Sequence, residues 1–562
     1  MRKGIVLVGA VVAIFGFART VAAQGHFYRG DSNHDGKIDI SDGIATLGWL
    51  FLGLAEPKCL DAADVNDSSE IDIADAIYTF NFLFGGGPPP AKPYPGFEAD
   101  PTDDSLPCLE VVDVSGSIAT DTTWTNDKAY RLVDAVFVEP GVTLTVEAGT
   151  TVLGAVGLAE GKKPVLVAKA GSGGKPSGRL VAVGLPNRPV VFTSERKPGE
   201  RSIGDWGGVI LLGQAQVNVP GGVLKAEGLV PDQFMGCGPS LPPPSGNPGD
   251  CFVDDDDNGH LEYVRIEYGG FPISPDNEVN GLSLFATGSK TKLSHIQVKF
   301  NDDDGFEWFG GTTSLKYGLV TFVSDDSFDY AYGWRGQGQF WVGLGSPDVA
   351  NCENGFEVDN SEAGVGAFED TPRTMPTISN VTLVGKGDPG AGGKAGTGIL
   401  LRRGAGTRLY NFIVQGFTKG GFDLDDAASC DMLAAQPDGL PGTILDYGIF
   451  YDNTARTGSP PVDRDTPWVT DSDEPLRGDP ACSSEAVVRS GANTLVSPAD
   501  PPTRLAKPYD LLNPDFRPVN DALANVLDPT TLGGFFEPVT FRGGVAPDVD
   551  WTKEPWISYL QN

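Results

Sequence analysis

The 562-residue chain is poor in positive charge: Lys and Arg number 41 against 75 Asp and Glu, a formal net charge of −34. A surface that acidic repels phosphate backbones and excludes nucleic acid as a partner, while it suits cations. Histidine is nearly missing, with only His26, His34, His260 and His295 present. There is no Gly-x-Ser-x-Gly elbow, no His-Glu-x-x-His and no glycine-rich phosphate loop ahead of a helix, which removes those hydrolase, metalloprotease and nucleotide-binding classes. Long hydrophobic runs are also missing. The run Ile5 to Phe17 follows Arg2-Lys3 and leads to Val21-Ala22-Ala23. It is too short to span a bilayer, and it has the charged start, apolar middle and small-residue exit of a secretory signal. Residues 1–23 are therefore expected to be a signal peptide. The mature chain is expected to be secreted, extracellular or at the cell surface, without a transmembrane segment.

Seven cysteines are present, all after that point, where disulfides persist. Cys59 and Cys108 bracket the first module, and Cys237 and Cys251 bracket a Pro-rich loop. Cys430 and Cys482 are the remaining expected disulfide residues. With Cys352 the count is odd, and spacing alone does not fix the connectivity.

The strongest local motif lies in residues 26–84. Asp31, Asn33, Asp35, Asp39 and Asp42 place oxygen side chains at loop positions 1, 3, 5, 9 and 12, with Gly36 at 6 and the Lys37 carbonyl at 7. Hard oxygen ligands at this spacing around a sharp turn are what Ca²⁺ requires. The pattern returns 33 residues later as Asp64, Asn66, Ser68, Glu70, Asp72 and Asp75, with Ser69 in place of the turn glycine. Weaker cation binding is expected there. An amphipathic helical segment follows each loop. Two calcium loops, each followed by one helix, resemble the type I dockerin module. That resemblance implies docking onto a cohesin-like or other surface protein. At the positions where dockerins carry polar recognition residues this chain has Ile40-Ser41 and Ile73-Ala74. Residues 85–110, rich in Pro and Gly, are expected to form a semi-extended linker.

Beyond the linker helical periodicity is nearly absent. Short alternating apolar runs take over, and self-comparison finds two templates. Leu261, Leu293, Leu315, Ile378 and Leu409 each open a run such as Leu-Glu-Tyr-Val-Arg-Ile. A small residue, Phe and an acid recur at Phe306-Glu307, Phe328-Asp329, Phe356-Glu357 and Phe422-Asp423, at spacings of 22, 28 and 66. A repeat of about 22 residues with two short strands per unit points to stacked coils, a right-handed parallel β-helix over residues 111–482. Residues 483–562 are expected to cap it or pack on it. The fold class is then mainly β, with a small helical N-terminal module. The segments Gly141–Thr150, Asp205–Gly213, Tyr263–Gly270, Asp304–Gly311 and Trp551–Trp556 resemble a group of secreted bacterial β-helix proteins. More distantly the architecture resembles pectate-lyase-like β-helices.

Regular alternation turns the Phe residues inward and stacks Glu307, Asp329, Glu357 and Asp423 on the outside. With Trp334 and Arg335 they form the candidate ligand face, bordered by Asp302, Asp303, Asp304, Asp325, Asp326, Asp359, Asp425 and Asp426. Aromatic faces beside carboxylates suit sugars, and stacked carboxylates call for a cation such as Ca²⁺. The sequence reading is a secreted calcium-binding β-helix protein with a non-catalytic glycan-binding or structural role. The alternative is a calcium-dependent lyase or hydrolase acting on polysaccharide, with Arg335, Arg402 or Arg403 as the base of a lyase.

Overall fold

The computed structural model describes residues 27–96, 101–102, 106, 108, 110–159, 162–196, 199–227, 229, 232–236, 251–271, 279–345, 352–362, 364–387, 396–436, 439–453, 467–469, 474–497 and 504–559. The expected signal peptide and Cys237 lie outside them. The chain divides into two compact units, Met1–Val111 and Val112–Asn562. No helix among the described residues is long and apolar enough to cross a membrane.

In the first unit the two repeats fold alike. Asp39 caps α1 (Ile40–Leu52), and α2 (Leu60–Ala63) is a single turn. Asp72 caps α3 (Ile73–Phe84), and Asp42 and Asp75 close matching capping boxes. α1 packs against α3. Gly43 makes that contact possible, since a Cβ there would lie 2.4 Å from the Phe80 ring. Residues 85–96, within the segment expected to be a semi-extended linker, are hydrogen-bonded back to the module. Ala91 N donates to Val65 O (3.2 Å), the Tyr78 hydroxyl to Pro89 O (3.1 Å), and Arg29 Nε to Lys92 O (2.6 Å). Cys59 is disulfide-bonded to Cys108.

The second unit is a parallel β-helix built on a 24-stranded sheet. One column of strands runs through Gly259–Glu267, Lys292–Lys299, Ser314–Thr321, Gln337–Leu344, Thr377–Val384 and Arg408–Gln415, all paired in parallel. Each strand kinks at one left-handed residue: Tyr263, His295, Tyr317, Phe340, Asn380 and Asn411, with φ between 50 and 62°. The kink turns the chain from one face of the coil to the next. Its backbone strain is offset by stacking of the kink side chains along the axis, Tyr263 on His295 at 4.5 Å, His295 on Tyr317 at 4.3 Å and Tyr317 on Phe340 at 4.8 Å. The second column runs through Val209–Leu212, Leu282–Phe285, Phe306–Phe309, Phe328–Ala331, Phe356–Val358, Thr397–Leu401 and Gly420–Leu424. Its register stacks Leu282, Phe306, Phe328, Phe356, Ile399 and Phe422 inward, all fully buried.

The spacing of 66 between the last two Phe-acid pairs predicts three rungs; the structure has two, through Ile399. The extra residues go into insertions between strands, one of them the loop around Asn360 to Thr374. Residues 504–559 lie along the outer face, where Phe516, Val545, Trp551, Trp556 and Tyr559 pack on Leu319, Phe322, Val342 and Ile413. Amide side chains of the coil stand in for a neighbouring strand: Gln297 exchanges two hydrogen bonds with the Ser558 backbone, Gln339 with Glu537 and Asn411 with Leu527. Cys430 and Cys482 are disulfide-bonded, Cys251 is also in a disulfide, and Cys352 is buried.

Candidate functional site

The second column's register places Ser283, Glu307, Asp329, Glu357, Leu400 and Asp423 in one outward row. A parallel row three residues upstream, at the turn entering each strand, carries Asn280, Asp304, Asp326 and Asn354. Its side chains brace successive rungs: Asp326 N donates to Asp304 Oδ1 (2.8 Å), Asn354 N to Asp326 Oδ1, and Thr397 N to Asn354 Oδ1 (2.9 Å). The two rows converge. Asp304, Glu307 and Asp329 bring one carboxylate oxygen each within 4.8 Å of the others, and so do Asp326, Asp329 and Glu357. Asp303, Asp304 and Asp325 form a third such group. Asp304 and Asp326, expected only to border the ligand face, are members of these groups, and the 22-residue repeat relates them.

Among the described residues no Lys or Arg forms an ion pair with Asp304, Glu307, Asp326 or Asp329. Asp329 Oδ1 is buried without a hydrogen-bond partner, and so is Oδ1 of Asn280, whose Nδ2 donates to Glu307 Oε2. Burial raises all four carboxyls well above the usual range, and neighbouring charge adds to it: Asp303 and Asp326 on Asp304, Asp329 and Glu227 on Glu307, Glu357 and Asp325 on Asp326, Glu357 and Asp359 on Asp329. A second buried carboxylate shows what is missing. Burial also pushes Glu267 up, but Lys299 at 3.5 Å, Arg265 at 2.9 Å and Arg201 bring it down to about 2. Glu267 has its cations built in; at Asp329 the charge of Arg402 opposes the rise without overcoming it.

The row is compensated at its far end. Arg402 pairs with Glu357 and, at 2.8 Å, with Asp359; Arg403 pairs with Asp359 at 2.7 Å; Lys419 pairs with Asp423 at 2.9 Å. Leu400 separates Asp423 from Glu357, so the expected ladder is interrupted, and Asp423 is 1% exposed. Two further members of the expected face are elsewhere. Trp334 is fully buried, donates Nε1 to Thr313 O (3.0 Å) and stacks on Trp308 at 4.7 Å, so it offers no platform to a sugar. Arg335 points to another edge, toward Asp254 (3.5 Å) and Gln216.

The module's loops present the other candidate centre. Asp31 accepts from Asp35 N (3.0 Å) and Gly36 N (2.8 Å), and Asp42 from Asn33 N (3.2 Å) and Asp39 N (2.8 Å). The second loop repeats this: Asp64 accepts from Ser68 N (2.9 Å) and Ser69 N (2.6 Å), and Asp75 from Val65 N, Asn66 N and Asp72 N. Burial raises Asp31 to about 8, Asp42 to about 7 and Asp75 to about 6. Asn66 Oδ1 is buried without a hydrogen-bond partner. Asp35, Lys37 and Asp39 line the first loop and Glu70 and Asp72 the second. On the helices, Ile40, Ile44 and Phe51 of α1 and Ile73, Ile77 and Phe84 of α3 are exposed, repeating the 33-residue offset.

Against known protein families, a profile described as a pectate-lyase like beta helix domain matches residues 116–440. No curated protein and no solved structure matches the chain.

Proposed function

The chain belongs to the pectate-lyase-like β-helix domain family, and on that premise we propose that it is a secreted, calcium-binding protein that engages polysaccharide without cleaving it. Asp304, Glu307 and Asp329 would hold the cation of the β-helix, because Glu357 is already occupied by Arg402. The observation that carries this reading is Asp329 Oδ1, buried without a hydrogen-bond partner where two groups of three carboxylates meet. When bound, a hard divalent cation would neutralise the row and attract sugar hydroxyls or carboxylates. The loops of the module would hold calcium through Asp31, Asn33, Asp35, Asp42 and their counterparts, and the unpartnered Asn66 oxygen fits that role. The exposed apolar residues of α1 and α3 are where a cohesin-like or other surface protein would sit.

An enzymatic reading is favoured by one observation, the placement of Arg402 beside Asp329 and Glu357. Its guanidinium is held by Asp359 and Glu357, which outweigh burial and raise its pKa, making it a poor base. Calorimetry of the full chain with Ca²⁺ tests the choice. Asp329→Asn should remove one class of sites and calcium-dependent retention on an acidic polysaccharide, with no product formed by either protein. Reducing ends or unsaturated products released by the wild type and lost in Asp329→Asn would overturn the binding reading.

A further inference from the structure

The 33-residue offset that relates the two loops of the module sets Arg29 against Ala62 and Asp67 against His34. These positions break the repeat, and the two charged residues that break it meet. Arg29 is fully buried, two residues ahead of the first ligand position of the first loop, and its Nη2 lies 3.0 Å from Asp67 Oδ1 in the second. Its other contacts reach further. Nη1 donates to the carbonyls of Asp61 (3.1 Å) and Asp64 (2.7 Å), Nη2 lies 3.5 Å from Asp61 Oδ1, and Nε donates to the carbonyl of Lys92 (2.6 Å). One side chain thus joins the entry of the first loop, the start of the second, and the Pro-rich segment after α3. The same stretches meet through the backbone: Gly30 N donates to Ala62 O (2.8 Å) and Ala91 N to Val65 O (3.2 Å). Pro90 lies against Gly30, where a Cβ would stand 3.3 Å from its Cγ. The Tyr78 hydroxyl on α3 donates to Pro89 O (3.1 Å). The hydrogen bonds that hold residues 89–92 to the module therefore run to Val65 and Tyr78 of the second repeat and to Arg29.

Asp67 is not a ligand position of its loop; Asp64, Asn66, Ser68, Glu70, Asp72 and Asp75 are. A cation gathered by those residues fixes the backbone between them, and with it the Asp64 carbonyl and the Asp67 carboxylate that Arg29 grips. Without the cation, the acids of the loop repel one another and its start loosens. A buried guanidinium is sensitive to that loss, because its rigid fork of N–H groups matches one arrangement of acceptors and its charge is costly to leave unanswered. We propose that Arg29 couples the second loop, rather than the first, to the Pro-rich segment, so that calcium in the second loop locks residues 89–92 onto the module. Linked equilibria are reciprocal, so the lock in turn tightens calcium at that loop. This rests on the calcium reading of the loops above and adds to it a division of roles between them.

Hydrogen exchange on the full chain, with Ca²⁺ and with chelator, tests the coupling. Peptides covering residues 31–42 and 64–75 report filling of the loops, and peptides covering 88–96 report the lock. In the wild type, Ca²⁺ should slow exchange of 88–96 by about fivefold or more, as a locally opening segment becomes tied down. Asp67→Gly removes the carboxylate and keeps the left-handed backbone of that position, φ 60°. It should abolish most of the slowing at 88–96 and raise the dissociation constant of the second loop by roughly fivefold or more, with the first loop unchanged. His34→Gly makes the same backbone change at the matching position of the first loop, φ 62°, and should leave the slowing at 88–96 intact. If calcium alters exchange in neither loop, the calcium reading and the coupling both fall. If the loops are slowed but 88–96 is not, or if 88–96 is slowed equally in Asp67→Gly, or if His34→Gly abolishes the slowing as fully as Asp67→Gly, the coupling alone is overturned.

Discussion

The module and the β-helix both repeat a carboxylate, and the repeat does opposite things in them. In the module each repeat wraps its acids around a single point. Backbone N–H groups of the same loop answer the first carboxylate of each loop: Asp35 and Gly36 for Asp31, Ser68 and Ser69 for Asp64. In the β-helix the repeat lays acid over acid, Glu307 to Asp329 to Glu357, at the spacing of parallel strands. The backbone amides there are consumed by strand pairing and cannot answer the row. A loop therefore carries a complete ligand set in a dozen residues, whereas the coil assembles one only through its register. The coil's apolar interior offsets the cost of holding Glu307 and Asp329 so close.

The largest expected effect strikes that interior. Phe328 is fully buried, stacked on Phe306 at 5.6 Å and on Trp341 at 4.7 Å. Phe328→Ala should cost about 3–5 kcal/mol in denaturant unfolding followed by tryptophan fluorescence. A loss below about 1 kcal/mol would mean that Phe328 is not an inward residue, and the outward row of Glu307 and Asp329 would fall with it.

The next effect belongs to the module. If its loops are complete ligand sets, calcium at 100 times the dissociation constant should stabilise it by about 2.7 kcal/mol. Circular dichroism of a fragment covering residues 27–108, melted with calcium and with chelator, measures this. Equal melting temperatures would make the two loops turns without a cation and erase the contrast with the coil.

How much of this is legible in the sequence follows from the same contrast. The stacking of Phe306 on Phe328 and of Glu307 on Asp329 is readable because a single spacing of 22 relates both pairs. The same arithmetic fails between Phe356 and Phe422, where insertions replace a rung and Leu400 enters the row. The aromatic member of the expected face differs because nearness in sequence to Asp329 does not set orientation: Trp334 turns inward to stack on Trp308. Asp304 and Asp326 stand one rung apart and were within reach of the repeat.

The smallest effect is the sharpest test of the loops' equivalence. Gly36 and Ser69 occupy the same loop position, 33 residues apart, and both are left-handed, with φ of 80 and 65°. Glycine takes that conformation without steric penalty, while serine meets its own Cβ against the following carbonyl, at about 1–2 kcal/mol. Both residues donate their N–H to the first carboxylate of their loop, Gly36 to Asp31 at 2.8 Å and Ser69 to Asp64 at 2.6 Å, so a swap keeps the hydrogen bond. Ser69→Gly should therefore raise module stability by about 1 kcal/mol and tighten calcium at the second loop, and Gly36→Ser should weaken the first by a similar amount. Calorimetry of the two single variants would bring the two binding steps closer together in either case. If Ser69→Gly leaves the second step unchanged, the difference between the loops lies in Ser68, which stands where the first loop has Asp35, and not in the turn.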